Sequence, residues 1–305
     1  MTLVVLFNGQ GELRRQHVDR LLGEATAATA GLLASVLASK GLSLRDARDD
    51  DLQSNRVAQP AICLYQLAMW RTLAPLLPRP ALFAGYSLGE LTAFAVAADV
   101  ELGDAIALAE QRATLMDEAV LQPAGLLAIA GLPEASVEAL CRTHACEISI
   151  RNGPASFVVG GLADALERLS QDACAIGAIR TARLRVTTPS HTSRLAGAAV
   201  KFGQLLRRGG YEGLRIPVVA SAEGKIVFSA EALASALEKQ LCTRFDWDTC
   251  MDAILSYRPQ AVLEMGPGTA LSRLLLDVDP RVEVRSVDDF RHASSIAQWV
   301  ASRIQ

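Results

Sequence analysis

The sequence predicts an α/β protein in which a large domain on a parallel sheet is interrupted by a smaller, ferredoxin-like subdomain. Two observations predict this class. Short apolar runs such as LVVLF (residues 3–7) and ALFAG (81–85) alternate with longer helical stretches, which is the order of βα units in a parallel sheet. Between residues 124 and 188 the pattern instead follows the order β-α-β-β-α-β, the split βαβ unit.

We expect residues 1–123 and 189–305 to form the large domain and residues 124–188 to form the inserted subdomain. The predicted strands are short apolar runs, and the predicted helices carry apolar residues at helical spacing. After LVVLF, the expected elements in chain order are the helices AATAGLLASVLASK and AICLYQLAMWRTL, the strand ALFAG, the helices LTAFAVAA and DAIALAEQRATLMDEAV, the subdomain strands LLAIAGL, CEISIRN, SFVVGG and TARLRV with the helices PEASVEALCRTHA and ADALERLSQDACAI, and finally the helix AGAAVKFGQLLRRGG, the strand IPVVAS, the helix EALASALEKQL and the strand-turn-helix AVLEMGPGTALSRLL.

Charge and composition narrow the class of protein. The 305 residues carry a formal net charge of -3, so we expect no basic surface for nucleic acid. No uncharged apolar stretch reaches the roughly 20 residues of a membrane span, and the first residues lack the basic region and cleavage site of a signal peptide. We therefore expect a soluble, cytoplasmic protein. Six cysteines without CxxC pairing and four histidines without ligand-pair spacing predict no metal site.

The stretch AGYSLGELTAF (residues 84–94) places Ser87 in a G-x-S-x-G pattern. The pattern is informative here because it follows a predicted strand and precedes a predicted helix, as in α/β-hydrolase-like folds, where glycines permit a strained turn that exposes the serine hydroxyl. A helix N-terminus also favours developing negative charge. We interpret Ser87 as a nucleophile; a plain Gly-Ser turn is the alternative.

A serine hydroxyl needs a base within hydrogen-bond reach. His17 and His144 lie in polar helical stretches and His292 lies in DDFRHASS near the C-terminus, so we expect these three histidines at the surface. His191 follows the inserted subdomain, where the chain returns to the large domain and can line a cleft. His191 is the candidate base, with an ordinary loop histidine as the equal alternative.

Acyl transfer also needs donors for an oxyanion. The backbone N–H of Leu88, directly after the nucleophile, is one candidate. The Gly-rich turn LFNGQGE (residues 6–12) can bring the backbone N–H of Gln10 to the same edge of the sheet. On its own this turn is weak support, because it lacks the GxGxxG spacing of a dinucleotide site and a plain tight turn explains it equally well.

Taken together, these residues resemble the malonyl-CoA:acyl-carrier-protein transacylases, the acyltransferase family shared by fatty-acid synthases, polyketide synthases and malonate decarboxylase. The resemblance runs in order along almost the whole chain. Its motifs are LFNGQGE (6–12), VAQPAI (57–62), GYSLGE (85–90), QRATLMDEAV (111–120), GLLAIAGL (125–132), TPSH (188–191) and EMGPG (264–268).

The resemblance implies a ping-pong reaction at four of the residues above. Ser87 would be acylated by malonyl-CoA, with His191 as its base and Gln10 and Leu88 as the oxyanion hole. The phosphopantetheine thiol of an acyl carrier protein would then take the malonyl group from the serine. The resemblance implies no cofactor of the protein's own, because the phosphopantetheine belongs to the carrier protein.

The resemblance also implies a pocket for the malonyl group. Arg112 would bind the free carboxylate, which is physically reasonable because a guanidinium forms a bidentate, charge-assisted pair that lysine cannot copy. Gln59 and Met116 would line the same pocket. Without the resemblance, Arg112 would be read as an exposed helix arginine.

The chain departs from the family pattern at several positions. Asn8 stands where the family has proline, Glu12 and Leu13 replace a small residue and glutamine, and Ala113 follows Arg112 where glycine is common. In the segment TRFDW, Asp246 stands where the resemblance implies Gln or Asn with a backbone carbonyl that orients the histidine. We expect the Asp246 carbonyl to orient His191, with its carboxylate as the alternative.

Within the family, Tyr86 and the segment NRVAQPAICLYQLAMW (residues 55–70) look most like the ε subunit of malonate decarboxylase, which would add decarboxylase subunits as partners. A fatty-acid or polyketide transacylase would use the same residues. Two further alternatives remain from the sequence: an acyl-thioester hydrolase, which needs Ser87 and His191 but not Arg112, and a non-catalytic protein that docks a carrier protein.

Overall fold

The computed structural model describes residues 2–11, 13–24, 26–45 and 47–304, except for the side chain of Glu24. The strands in this part of the chain are β1 (Leu3–Phe7), β2 (Leu82–Gly85), β3 (Ala124–Ala130), β4 (Glu147–Gly153), β5 (Ser156–Leu162), β6 (Arg180–Arg183), β7 (Val218–Ala220), β8 (Lys225–Val227), β9 (Phe245–Asp246), β10 (Ala261–Glu264) and β11 (Val284–Ser286). The helices are α1 (Arg15–Glu24), α2 (Ala27–Ala38), α3 (Asn55–Leu73), α4 (Leu88–Ala97), α5 (Leu102–Glu118), α6 (Glu134–His144), α7 (Ala163–Ala175), α8 (Ala196–Arg208), α9 (Ala230–Cys242), α10 (Trp247–Ser256), α11 (Ala270–Val278) and α12 (Ala293–Arg303). Among the described residues, no helix combines the length and apolarity that crossing a bilayer requires.

The large sheet has the strand order β11-β10-β1-β2-β7-β8. Neighbouring strands from β11 to β7 run parallel, as the alternating βα pattern predicts, whereas β8 pairs antiparallel with β7 at the edge. The sheet is therefore mixed rather than entirely parallel, a correction to the expected parallel sheet. The difference arises because a short turn joins β7 to β8, and only antiparallel strands can be joined so closely.

The small sheet has the strand order β6-β3-β5-β4-β9. Strands β3, β4, β5 and β6 with helices α6 and α7 form the predicted β-α-β-β-α-β unit, and its strand pairs are antiparallel. The α/β class with a ferredoxin-like insertion is thus confirmed. Strand β9, which pairs parallel with β4, comes from far along the chain, so the boundaries at residues 124 and 188 stay a prediction.

The large sheet is covered on both faces. Along β1, Leu3, Val5 and Phe7 pack with apolar residues of α3, α4 and α9, among other helices, while Val4 and Leu6 pack with residues of α10 and α11. All five β1 side chains are 1% exposed or less. A continuous apolar run is typical of a parallel strand with helices on both faces.

The order of the strands decides where the candidate residues meet. Strands β1 and β2 are neighbours and run parallel, with Phe7 paired to Gly85. Their carboxyl ends therefore lie at the same edge of the sheet, which is where open α/β sheets bind ligands. The loop after β1 carries Gln10 and the loop after β2 carries Ser87.

Candidate active site

Ser87 lies in a tight turn between strand β2 and helix α4. Its backbone dihedral angles are φ 54° and ψ -108°, a region that L-residues rarely occupy. Such a conformation is costly and persists only where the surrounding structure enforces it. The turn points the Ser87 hydroxyl into the cleft and places it at the N-terminus of α4, as the G-x-S-x-G pattern predicts.

The two glycines of the pattern are required by close backbone contacts. A Cβ atom on Gly85 would lie 2.1 Å from the backbone nitrogen of Glu90, and one on Gly89 would lie 1.9 Å from the carbonyl oxygen of Phe7. Both distances are well inside van der Waals contact. Glycine at these positions therefore allows α4 to begin directly against strands β1 and β2.

His191 lies next to Ser87. The Nε2 atom of His191 is 2.8 Å from the Oγ atom of Ser87, and its Nδ1 atom is 2.6 Å from the backbone carbonyl oxygen of Gln240. The carbonyl can only accept, so Nδ1 carries the proton and Nε2 is free to accept from the Ser87 hydroxyl. This tautomer is the one that a general base requires.

Burial keeps the His191 imidazole neutral. The residue is 1% exposed, and this desolvation lowers its pKa to about 3, helped by the charge of Arg112 and opposed by the hydrogen bond to the Gln240 carbonyl. His191 is therefore unprotonated at neutral pH. Its ring packs edge-on against Phe245, with 4.9 Å between the ring centroids, which limits its rotation.

Asp246 does not orient His191, which corrects the prediction from the TRFDW segment. Its carboxylate accepts hydrogen bonds from Arg244, the closest at 2.7 Å, and lies 3.3 Å from Nε of Arg151. Its backbone belongs to β9, paired with β4. The carbonyl that accepts from His191 Nδ1 is that of Gln240, near the end of α9. Asp246 comes later in the chain, after the turn from α9 into β9.

Arg112 extends from helix α5 into the same cleft, rather than lying exposed on its helix. It is 1% exposed; its Nη1 atom donates to Gln59 Oε1 at 2.7 Å, and its Nη2 atom lies 3.5 Å from Ser87 Oγ. Burial lowers its pKa to about 10, opposed by the charge of Glu90. The guanidinium thus stays positively charged at neutral pH and can bind an anion beside Ser87.

Gln59 holds the Arg112 guanidinium in place. Its side-chain amide donates to Asn55 Oδ1 and approaches the sulfur of Met116 at 3.3 Å, which leaves its oxygen to accept from Arg112. Asn55 in turn donates to the carbonyl of Ala113 at 3.2 Å. The network fixes helix α3 against α5 and restricts the rotamers of the arginine.

The candidate oxyanion donors lie on the same cavity. The predicted site residues on its wall are Gln10, Gln59, Ser87, Leu88, Arg112, Met116 and His191. The cavity is small, about 50 Å3, and apolar side chains of the small sheet close its far side. Gln10 and Tyr86 also line a wider cavity of about 450 Å3, whose other walls come from the small sheet, the loop after β1 and helix α11. The two cavities thus share part of their walls.

Asn8, one of the departures from the family pattern, anchors the loop that carries Gln10. Its side-chain amide donates to the carbonyl of Pro267 at 2.9 Å, and its own carbonyl accepts from Gln66 Nε2 at 2.8 Å. The Asn8 side chain thus ties the loop after β1 to the GPG turn. Glu12, another departure, lies outside the described residues.

Sequence reasoning missed two residues of the site, Gln240 and Glu90. Gln240 acts on His191 through its backbone carbonyl, which no side-chain pattern signals. Glu90 is fully buried and accepts a hydrogen bond from Gln240. Its signal was available, because an acidic residue at the start of the apolar helix GELTAFAVAA predicts a buried charge with a specific partner.

The other histidines lie away from Ser87, although not all are at the surface. His17 is 4% exposed, and its ring packs edge-on against Tyr65 with Asp288 3.2 Å from Nε2. The prediction that His17 lies at the surface is therefore wrong, because the face of α1 that carries His17 is packed against the rest of the protein. His144 is half-buried beside Asp172, and His292 is exposed.

Comparison with known proteins places the chain in a family. The family model described as acyl transferase domain matches residues 4–272. The malonyl CoA-acyl carrier protein transacylase of Salmonella typhimurium is 32% identical over 231 residues, covering 74% of this chain and 75% of the relative. The protein of the same name from Bacillus subtilis is 27% identical over 305 residues, covering 94% and 93%.

A solved structure agrees along the whole chain. It holds the acyl carrier protein of a type II polyketide synthase in complex with its malonyl transacylase, and its TM-score is 0.87 at 28% identity, covering 99% of this chain and 100% of the other. The chain therefore belongs to the acyl transferase domain family. The relatives above place it among the malonyl-CoA:acyl-carrier-protein transacylases. It is an enzyme of the acyltransferase class.

Proposed function

We propose that the protein transfers a malonyl group from malonyl-CoA to the phosphopantetheine thiol of an acyl carrier protein, through a malonyl ester on Ser87. The observation that carries this proposal is the buried Arg112 guanidinium, 3.5 Å from Ser87 Oγ. A fixed positive charge beside the nucleophile suits an acyl group that ends in a carboxylate. A bidentate pair with that carboxylate would place the thioester carbonyl next to Ser87.

The first half-reaction follows from the hydrogen bonds of the site. His191 Nε2 takes the proton of the Ser87 hydroxyl as Oγ attacks the thioester carbonyl, and the Gln240 carbonyl stabilises the imidazolium through Nδ1. The backbone N–H groups of Leu88 and Gln10 receive the negative charge on the carbonyl oxygen. His191 then returns the proton to the leaving CoA thiolate.

The second half-reaction repeats these steps with a new thiol. The carrier thiol enters through the wider cavity beside this pocket, His191 removes its proton, and the thiolate attacks the malonyl ester on Ser87. The bond between the acyl carbon and Ser87 Oγ then breaks, and His191 returns the proton to the serine oxygen. A relative solved with a holo acyl carrier protein supports this class of partner. The Arg112 clamp favours the thiol over water because it holds the ester carbonyl in one pose within a narrow pocket.

The pathway is a separate proposal. Relatives of the chain include malonyl CoA-acyl carrier protein transacylases and a polyketide synthase protein of Streptomyces orinoci, which supports fatty-acid or polyketide synthesis better than a malonate decarboxylase ε subunit. The hypothesis of a malonate decarboxylase ε subunit is based on Tyr86 and on the residues of α3. The Tyr86 ring packs against Phe245 and Trp247 with centroid distances of 5.4 and 5.2 Å, and its hydroxyl donates to Asn152 Oδ1 at 3.1 Å, so contacts within the chain account for this tyrosine.

A hydrolase is the competing reaction on the same serine and histidine. The position of Arg112 supports transfer, since hydrolysis of simple acyl thioesters needs no carboxylate clamp. The test is to mix the protein with malonyl-CoA labelled in the malonyl group, with holo acyl carrier protein, apo carrier protein or neither. Of the two carrier forms, we expect label on the holo form only. Free malonate formed at the same rate with and without the holo carrier would overturn transfer in favour of hydrolysis.

A further inference from the structure

Glu90 is a buried carboxylate in the first turn of α4 for which the proposed reaction has no use. It is fully buried, and this burial raises its pKa to about 7, opposed by hydrogen bonds from Ser221 and Gln240 and by the charge of Arg112. Burying a carboxylate is costly unless several donors satisfy it. Its position three residues after Ser87 raises the question of what those donors achieve.

The donors to Glu90 come from two other elements. The Oε2 atom accepts from Gln240 Nε2 at 2.6 Å, from the backbone nitrogen of Ser221 at 3.1 Å, and from the Ser221 hydroxyl. Ser221 follows strand β7, and Gln240 lies in the last turn of α9. One carboxylate oxygen therefore ties together the start of α4, the end of β7 and the end of α9.

Gln240 connects Glu90 to the two reacting groups, Ser87 and His191. Its side-chain nitrogen is held by Glu90 and by the Ser221 hydroxyl oxygen at 2.8 Å, and it also lies 3.3 Å from the backbone carbonyl oxygen of Ser87. Its own backbone carbonyl accepts from His191 Nδ1 at 2.6 Å. The next carbonyl, that of Leu241, accepts from the backbone nitrogen of His191 at 3.0 Å. Gln240 therefore contacts both the nucleophile and its base.

We propose that Glu90 is a positioning residue: by fixing Gln240, it sets the carbonyl that holds the His191 tautomer and braces the strained backbone of Ser87. This inference rests on the proposed role of Ser87 as the nucleophile. It differs from a purely electrostatic role, in which Glu90 would serve as the counter-charge of Arg112. The two roles affect different steps, since positioning acts on every reaction of Ser87 and the counter-charge acts on binding of the malonyl carboxylate.

A small neutral reagent separates the two roles. Phenylmethylsulfonyl fluoride sulfonylates an activated serine with loss of fluoride, and it has no carboxylate for Arg112 to bind. We would measure its rate of reaction with Ser87, and the rate and half-saturation of Ser87 acylation by malonyl-CoA in single turnovers. The variants are Glu90→Ala, which removes the acceptor, and Glu90→Gln, which keeps an acceptor oxygen but removes the charge.

If Glu90 positions the site, Glu90→Ala slows both reactions by a similar factor of about 100, the size that misplacing a catalytic group produces. The half-saturation concentration for malonyl-CoA stays within about threefold, because binding is not affected. Glu90→Gln recovers both rates to within about tenfold of wild type, since its oxygen can accept from Gln240 and Ser221. Its amide nitrogen replaces Oε1, which has no hydrogen-bond partner among the described residues.

One further variant tests the role of Gln240, and a second one is a control for changes that are unrelated to it. Gln240→Met removes the amide but keeps the backbone carbonyl, and we expect the same parallel loss of both rates. Thr92→Val is the matched control: Thr92 is a fully buried polar residue on the same helix, and this near-isosteric change leaves both rates within about twofold. Thermal unfolding of each variant shows whether it is folded at the assay temperature.

Several results would overturn the inference. If folded Glu90→Ala protein reacts with the sulfonyl fluoride at the wild-type rate and only malonyl-CoA acylation changes, Glu90 acts through Arg112 and not by positioning. If the wild-type Ser87 reacts with the sulfonyl fluoride but not with malonyl-CoA, the proposed function fails, and the sulfonylation rates alone decide on Glu90. A wild-type Ser87 that is inert to both reagents would overturn both proposals.

Discussion

The Nε2 atom of His191 lies 2.8 Å from the hydroxyl oxygen of Ser87, although the two residues are 104 positions apart in the chain. Both have backbone φ angles in the left-handed region, 54° for Ser87 and 61° for His191. Strain of this kind is found where a fold enforces a particular geometry. The hydrogen bonds from His191 to the carbonyls of Gln240 and Leu241 are part of what enforces it here.

The Arg112 clamp predicts a selectivity that can be measured. Replacing Arg112 with Ala should lower kcat/KM for malonyl-CoA by about 100-fold, because two charge-assisted hydrogen bonds to the malonyl carboxylate are lost. Acetyl-CoA has no such carboxylate, so its slow reaction should change by no more than about threefold. Arg112→Lys keeps the charge but not the paired geometry, so its kcat/KM for malonyl-CoA should lie between those of wild type and Arg112→Ala. Equal losses with both thioesters would contradict the clamp.

The buried base predicts an unusual pH profile. Because burial lowers the His191 pKa to about 3, the imidazole stays neutral as the pH falls through 6.5, where an exposed histidine would gain a proton. Glu90, with its pKa raised to about 7, titrates in the same range, so His191 is tested in the Glu90→Gln variant. In that variant, acylation of Ser87 should stay within about twofold between pH 8 and pH 5. A decline with a midpoint near pH 6.5 in Glu90→Gln would contradict this environment for His191.

The close approach of α4 to β1 predicts that Gly89 tolerates no side chain. Gly89→Ala places a Cβ atom 1.9 Å from the Phe7 carbonyl oxygen and should lower the free energy of unfolding by about 3 kcal/mol, with loss of Ser87 acylation. Gly103→Ala is the control, since Gly103 is exposed in α5 and its Cβ would meet no atom within 4 Å. In urea unfolding, that variant should be as stable as wild type or up to about 1 kcal/mol more stable.

The role of Asp246 can be tested by a conservative change. Asp246→Asn weakens its ion pairs with Arg244 and Arg151, which are partly exposed, and should lower the free energy of unfolding by no more than about 1 kcal/mol. Acylation of Ser87 should stay within about twofold of wild type, because Asp246 makes no contact with His191. A loss of acylation of about 100-fold or more, toward the roughly 10,000-fold seen when the third member of a catalytic triad is replaced, would mean that Asp246 supports the histidine after all.

The sequence predicts this fold well where local patterns decide it. The apolar run of β1, the GYSLGE turn and the split βαβ unit all have periodicities or glycines that belong to one kind of structure. The elements that the sequence analysis did not predict are strands β8, β9 and β11 and helices α10 and α12. Strands β8 and β9 have three and two residues, too few to show a period, and their pairing depends on which segments the tertiary fold brings together.

The same division holds for the candidate site. Ser87 stands in a motif with its own local geometry, and the sequence alone marks it. Arg112, Gln59 and Met116 gain meaning only through the family resemblance, because helix periodicity does not show which side of α5 faces Ser87. The Gln240 carbonyl could not be predicted, since any residue provides one and only the end point of α9 decides which carbonyl meets His191.

The proposed reaction requires that Ser87 becomes a malonyl ester. The most direct test is the intact mass of the protein after mixing with malonyl-CoA, with acetyl-CoA or with neither, for wild type and for Ser87→Ala. We expect malonyl-CoA to leave a malonyl-sized adduct on wild type and none on Ser87→Ala, and we expect no matching adduct from acetyl-CoA. An adduct that persists in Ser87→Ala, or a wild-type protein that malonyl-CoA leaves unmodified, would contradict it.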